Sequence, residues 1–243
     1  ETWQLLERHF GEISVETFNV DLYAKVLQEA MDRRKSIYSA AYIMPSGPKA
    51  QYQGKRKHEF HLSLLEKLIT GSFIDEICAC KSMSDAYERI LKIESLGKFL
   101  AYQFVTDLNY SQHFNFSEQE FVVPGPGALD GIRKCFVELG DYNTTDIIHF
   151  MMDSQEQRFD ELGYPFKNLW GRNLQLIDCQ NLFCEVDKYS RVAHPEISGV
   201  SGRQRIKQKF KPQKSPIEVF YPPKWGINDK ITNSVDWPQA AAM

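Results

Sequence analysis

The chain has 243 residues, 42% of them hydrophobic, and a formal charge of −3. That length and apolar content support one compact unit with a tail. The slightly acidic balance excludes wholesale attraction to a polyanion, so any contact with nucleic acid must come from local clusters of Lys and Arg.

Five cysteines, Cys78, Cys80, Cys135, Cys179 and Cys184, form an odd set with no framework spacing. A reducing compartment is the simpler reading. No run of about 18 apolar residues is present to span a bilayer. The opening Glu1-Thr2-Trp3 has neither the basic nor the apolar region of a signal peptide. The expected setting is therefore intracellular, cytoplasm or nucleus, with no membrane.

In chain order, residues 17–34 carry Phe18, Leu22, Val26 and Leu27 at helical spacing and end in Arg33-Arg34-Lys35, which suits a helix C-terminus. Residues 37–44 are apolar and aromatic and stop at Pro45-Ser46-Gly47-Pro48, so they read as a short buried helix or a strand. Residues 50–58, with Lys55-Arg56-Lys57, read as an exposed loop. Helical patterns follow over 61–69 and 84–110, the latter divided near Gly97 and capped by Ser84 and Asp85. Residues 143–162 continue the pattern, capped at residues 143–145 and stopped by Gly163-Tyr164-Pro165. Residues 173–191 form the last strong helix, and beyond His194-Pro195 five prolines make the chain extended. The expected division is a helical domain over 1–195 and a basic, proline-rich tail over 196–243 that packs on it.

Residues 117–136 read SEQEFVVPGPGALDGIRKCF. Ser117 and Glu120 make a capping-box pair for a short helix. Pro124-Gly125-Pro126-Gly127 makes a tight hairpin in which the glycines permit positive φ and close approach. A second helix resumes at Ala128. Free N–H groups at the hairpin and the positive end of the second helix dipole suit a phosphate, with Arg133 and Lys134 adding charge nearby. The plainer alternative is an ordinary Pro/Gly turn between core helices.

On residues 173–191 a helical wheel places Asp178, Asn181, Glu185, Lys188 and Tyr189 on one side, and Cys179, Leu182, Phe183 and Val186 on the other. Two carboxylates, an amide and an ammonium are what acid–base chemistry on a nucleobase substituent or glycosidic carbon requires. A solvated face with an ion pair between Lys188 and a carboxylate explains the same wheel. Cys179 and Cys184 read as packed thiols. Cys78-x-Cys80 lacks zinc-site spacing, so no metal site is assigned.

Three blocks together resemble a known family: Ala41-Tyr42-Ile43-Met44; residues 99–108 followed by 121–128; and residues 177–189. They resemble the helical domain associated with 5-hydroxymethyluracil DNA kinases and its relatives, the amino acid:DNA transferases or α-glutamyl/putrescinyl-thymine pyrophosphorylases. The resemblance implies a mainly α, helix-hairpin-helix DNA glycosylase-like fold and a role in phage thymine hypermodification. It makes Gln103, Asp107 and Tyr42 candidates for base binding and Asp178, Asn181, Glu185 and Lys188 candidates for the active site. The window after the hairpin, where helix-hairpin-helix glycosylases carry their catalytic Asp, offers only Asp141, Asp146 and Asp153. Phosphoryl transfer from ATP usually needs GxxxxGK[ST], and none occurs, so kinase activity is expected of a separate domain or partner.

Residues 199–214 hold Arg203, Arg205, Lys207, Lys209, Lys211 and Lys214 and no acid. They read as a second, salt-sensitive backbone contact beside Gly125, Gly127, Ala128, Arg133 and Lys134, or else as a solvated tail. Phe220, Tyr221, Trp225 and Trp237 either stack on a displaced base or pin the tail. The leading expectation is an enzyme that grips double-stranded DNA with modified bases, flips a pyrimidine and alters or transfers a group at its 5-substituent. A glycosylase and a non-catalytic DNA-recognition module are the alternatives. Partner kinases or modification enzymes are expected, and the cofactor is unknown.

Overall fold

The computed structural model describes residues 2–39, 42–47, 56–206 and 219–231. Ala41, Lys55, Lys207 with the rest of the basic run, and Trp237 lie outside the described residues. Among those described the chain is mainly helical, and its only β pairing is an isolated bridge between Leu169 and Arg172. No described helix is long and apolar enough to cross a membrane.

The helices are α1 (Thr2–Phe10), α2 (Val20–Asp32), α3 (Lys57–Thr70), α4 (Phe73–Cys78), α5 (Met83–Leu91), α6 (Lys98–Tyr110), α7 (Pro126–Cys135), α8 (Thr144–Glu161) and α9 (Leu176–Ala193). The chain forms two compact units, residues 1–106 with 205–208, and residues 107–204 with 209–243.

In the first unit, α1, α2 and α3 enclose a core of Leu6, Tyr23, Leu27 and Leu62. Phe10 stacks on Tyr23 at 4.7 Å and Phe18 meets the same ring edge-on at 5.2 Å. Asn19 caps α2 by accepting the Leu22 N–H. The loop expected over 50–58 gives way to helix from Lys57, because the Glu59 carboxylate takes the Arg56 N–H at 2.6 Å. Ser82, not Ser84, caps α5. The expected joint near Gly97 is present, with the chain non-helical between α5 and α6.

The second unit is built on the α7–α9 pair. Gly131 lets the two helices touch: a Cβ there would lie 2.0 Å from the Phe183 carbonyl oxygen. Asn143 caps α8 through the N–H groups of Thr145 and Asp146, as its sequence position predicts. Away from the helices, side-chain amides do the work of a sheet. Asn109 pairs with both backbone groups of Phe116, Gln155 with those of Leu174, and Asn228 with those of Tyr221. Each clamp satisfies an otherwise stranded peptide and fixes a loop against a helix or turn.

Two local expectations are corrected. Residues 111–125 contain no helix, so α7 is preceded by a bent, extended segment rather than by the first arm of a hairpin. The inward face of α9 is only partly the apolar side of the wheel: Cys179 and Phe183 are buried as expected, but Leu182 is 49% exposed and Gln180, Asp187 and Ser190 are buried. The face turns toward polar residues because α7 supplies partners for them, which removes the penalty for burying them.

Candidate functional site

Around Arg172 the second unit gathers side chains from five separate segments. Gly171 and the bridge between Leu169 and Arg172 make the tight turn that aims this arginine inward. Its guanidinium donates to Glu118 at 2.7 Å and to Asp178 at 2.9 Å, and its face lies 3.7 Å from the centre of the Trp225 ring. Such a fork holds two carboxylates in fixed directions. Trp225 donates its indole N–H to the second oxygen of Glu118 at 2.9 Å and meets Tyr110 edge-on at 5.4 Å. The guanidinium side chain is 13% exposed and that of Asp178 29%, so the group is sheltered but open to solvent.

Each member is delivered by a local device. Asn109, 1% exposed, folds residues 111–116 back on α6 and so presents Glu118. Lys224 reaches the same Asn109 side chain at 3.1 Å and the Phe114 carbonyl at 3.3 Å. Ile227, 2% exposed, anchors the segment that carries Lys224 and Trp225. Asp178 is the N3 residue of α9, and its Oδ2 accepts both the Arg172 guanidinium and the Gln175 N–H. Oδ1 is left for another partner.

The site perturbs its own protons. Burial pushes the Tyr110 phenol well above its usual range, and the Asp178 and Glu118 carboxylates add to the effect against the opposing charge of Arg172. Burial also raises Asp107, which has accessible surface but crowded surroundings. Burial lowers the Lys224 ammonium, with Glu118 opposing. Asp107 and Asp178 both act electrostatically on the Tyr110 phenol, which groups the two carboxyls around one hydroxyl. Among the described residues no three His, Cys, Asp or Glu side chains converge as a metal requires.

The other predicted residues fall elsewhere. Asn181, Glu185 and Lys188 are exposed, and Glu185 and Lys188 pair with each other at the surface. Tyr42 and Gln103 belong to the first unit, where Tyr42 is 55% exposed with its ring parallel to Phe99 at 5.9 Å. The expected phosphate cradle on α7 is closed from inside. The Gly125 N–H donates to Gln180 at 3.1 Å, the buried Ala128 N–H meets the Cys184 thiol, and Gly127 leaves room for that thiol. Neither glycine of the motif has positive φ, and Gly127 serves close packing, since a Cβ there would lie 3.0 Å from the Cys184 sulfur. Lys134, 3% exposed, is bound to Asp187 at 2.9 Å in a network that includes Arg191, and so is withdrawn from any phosphate. Arg203 donates to the buried Asp130 at 2.9 Å and stays part-exposed, while Arg133 is exposed and donates to the Val137 carbonyl. Arg205 groups with the first unit.

Residues 1–199 match the family described as "5-hmdU DNA kinase, helical domain". The chain belongs to that family. This helical domain is also similar to the 5-hmdU DNA kinase of Bacillus phage SP10, with 25% identity over 243 residues. The similarity covers 93% of the chain and 37% of the phage protein, so the helical domain spans well under half of that relative. No solved structure matches it. Of the residues gathered around Arg172, Asp107 and Asp178 are picked out by the family resemblance. Glu118, Tyr110, Arg172 and Lys224 carry no periodic or motif signal, whereas Trp225 is one of the aromatic residues read as stacking or pinning; Lys224 and Trp225 lie past the matched region.

Proposed function

We propose that this chain is the substrate-handling part of modified-pyrimidine DNA metabolism of the 5-hydroxymethyluracil type. In this reading it engages double-stranded DNA and takes one pyrimidine out of the stack. It alters or transfers a group at the 5-substituent beside the Arg172 cluster. The observation that carries it is Asp178, with one oxygen fixed by Arg172 and the α9 N-terminus and the other unassigned. That is how a general base is held in one orientation while keeping a lone pair for the substrate. Family membership supports the substrate class.

Asp178 is the base, Asp107 a carboxyl whose affinity for a proton is raised by burial, and Tyr110 a neutral phenol able to donate to the base edge. Arg133 and the basic run that begins at Arg203 are the backbone contacts, and their binding weakens steeply with salt. Phosphoryl transfer is not assigned to this chain, which lacks a GxxxxGK[ST] loop.

The test is nucleoside mass spectrometry with a strand-integrity assay after incubation with duplexes containing thymine, 5-hydroxymethyluracil and its pyrophosphorylated form. A substituted nucleoside in an intact strand is expected, and Asp178→Asn, which keeps the Arg172 contact, abolishes it while duplex binding persists. A free base with an alkali-labile strand identifies a glycosylase instead. Binding without any chemical change leaves a recognition module.

A further inference from the structure

Trp170 holds a backbone conformation that its side chain disfavours. It has φ of +49° and is followed by Gly171 at +100°, so both central residues of the turn between Leu169 and Arg172 are left-handed. Turns of this kind favour Asn or Gly at the first central position, and a bulky residue there is an outlier that the surroundings must enforce. They do. Leu169 and Arg172 exchange backbone hydrogen bonds of 2.9 and 3.1 Å, Asn168 Oδ1 accepts the Gly171 N–H at 2.8 Å, and Lys230 Nζ reaches the Trp170 carbonyl at 3.4 Å.

Burial does not account for the indole. Trp170 is part-exposed, and the ring beside it is Tyr221, edge-on at 5.8 Å. Tyr221 in turn leans on Trp225, which covers Arg172. A strained, over-determined, part-exposed aromatic residue two positions from the centre of a polar cluster is the pattern expected of a ligand contact. Lys230, held at the backbone of the same residue, sets a cation within reach of whatever rests on the ring.

We infer that Trp170 is the stacking platform for an unpaired nucleobase, with Lys230 meeting its phosphate. This inference rests on the reading that DNA is the substrate. A flat aromatic face beside an ammonium suits an unstacked nucleotide of any sequence, because every base offers a π face. Tyr221 braces the indole edge-on and is itself stacked on Trp225, so the base so held lies next to the Arg172 cluster.

The experiment measures binding of a fluorescent single-stranded oligothymidylate, and of a fully paired duplex of equal length, by anisotropy. Wild type, Trp170→Phe, Trp170→Leu and Trp170→Gly are compared. Glycine relieves the left-handed strain, and an unchanged melting temperature of Trp170→Gly is the control that separates a loss of binding from a loss of fold. The expected result is single-strand binding weakened roughly tenfold in Trp170→Gly and Trp170→Leu, largely retained in Trp170→Phe, with duplex binding unchanged. Single-strand affinity that is equal in wild type and Trp170→Gly overturns the platform. Wild type that binds duplex but not the single strand also overturns it and leaves the proposed function standing. An intact Trp170 effect with no base modification by mass spectrometry sinks the proposed function and leaves the platform.

Discussion

Two charged networks lie in the second unit, and they are finished to different degrees. In the α7–α9 interface Asp187 is bound by Lys134 and Arg191, and the three side chains are 1%, 3% and 9% exposed. Around Arg172 the charges are part-exposed; among the described residues one oxygen of Asp178 has no hydrogen bond and Asp107, whose proton affinity burial raises, has no ion pair. A closed network fixes how helices pack. An open one retains capacity for a visitor. Charged residues on a helix are thus no guide to chemistry until their partners are counted.

The largest effect expected from this contrast is on stability. Asp187→Ala strands Lys134 and Arg191 in the interface and lowers unfolding free energy by about 3–5 kcal/mol, measured by urea denaturation. Replacing Asp187, Lys134 and Arg191 together by Leu, Met and Met recovers most of that loss, because no buried charge is then left without its partner. A triple variant as unstable as the single one means that the network does more than avoid uncompensated charge.

Arg172→Ala is expected to cost less fold and more function. It removes a fork from two part-exposed carboxylates, a loss of about 1–3 kcal/mol, and stops base modification. Arg172→Lys keeps the charge without the planar fork, so melting temperature recovers further than turnover does. Equal recovery of both removes the distinction between a holding and a reacting cluster.

The smallest effect is on acid sensitivity and separates the two units. Burial lowers the pKa of His58 and of His61 in the first unit, with the Arg56 charge adding for His58 and the Pro45 carbonyl opposing for His61. Folded values below the unfolded 6.5 mean that this stability is full above pH 6.5 and is lost as pH falls through the folded values. In the second unit burial raises Asp130, but the Ser201 hydroxyl and N–H and Arg203 outweigh it and leave its pKa depressed. Its contribution is kept above 3.8 and lost only below. Amide protection relative to the intrinsic exchange rate therefore falls in α3 before α7 as the pH drops from about 6 to about 5. The reverse order breaks the assignment.

Sequence patterning carried α2, α6, α8 and α9 well, because each has an apolar track, and Asn143 and Gly97 mark real boundaries. It missed α1 and α4, which are short, and it built a helix over 117–123 from a capping pair that the chain does not use. On α9 hydrophobicity alone pointed to Leu182 and Val186 as interior, since no wheel can foresee that Gly125 needs the amide of Gln180 or Lys134 the carboxylate of Asp187. The candidate site was legible only at Asp107 and Asp178. Arg172 sits in a turn and Trp225 in a proline-rich segment, and their association arises from loops clamped by Asn109 and Asn228, a tertiary event without a local signature.

Cys184 gives the α7–α9 interface a chemical clock. Its thiol fills the space left by Gly127, and burial pushes its pKa up to about 11, with Cys179 at about 12, whereas Cys78 and Cys135 lie exposed. Only the thiolate reacts with an alkylating agent. Cys78 is therefore labelled first in the folded protein, and the half-buried Cys184 more slowly, at a rate that rises as α7 parts from α9. The slow modification reports on the opening of the interface in a protein whose sequence needs no change to report it.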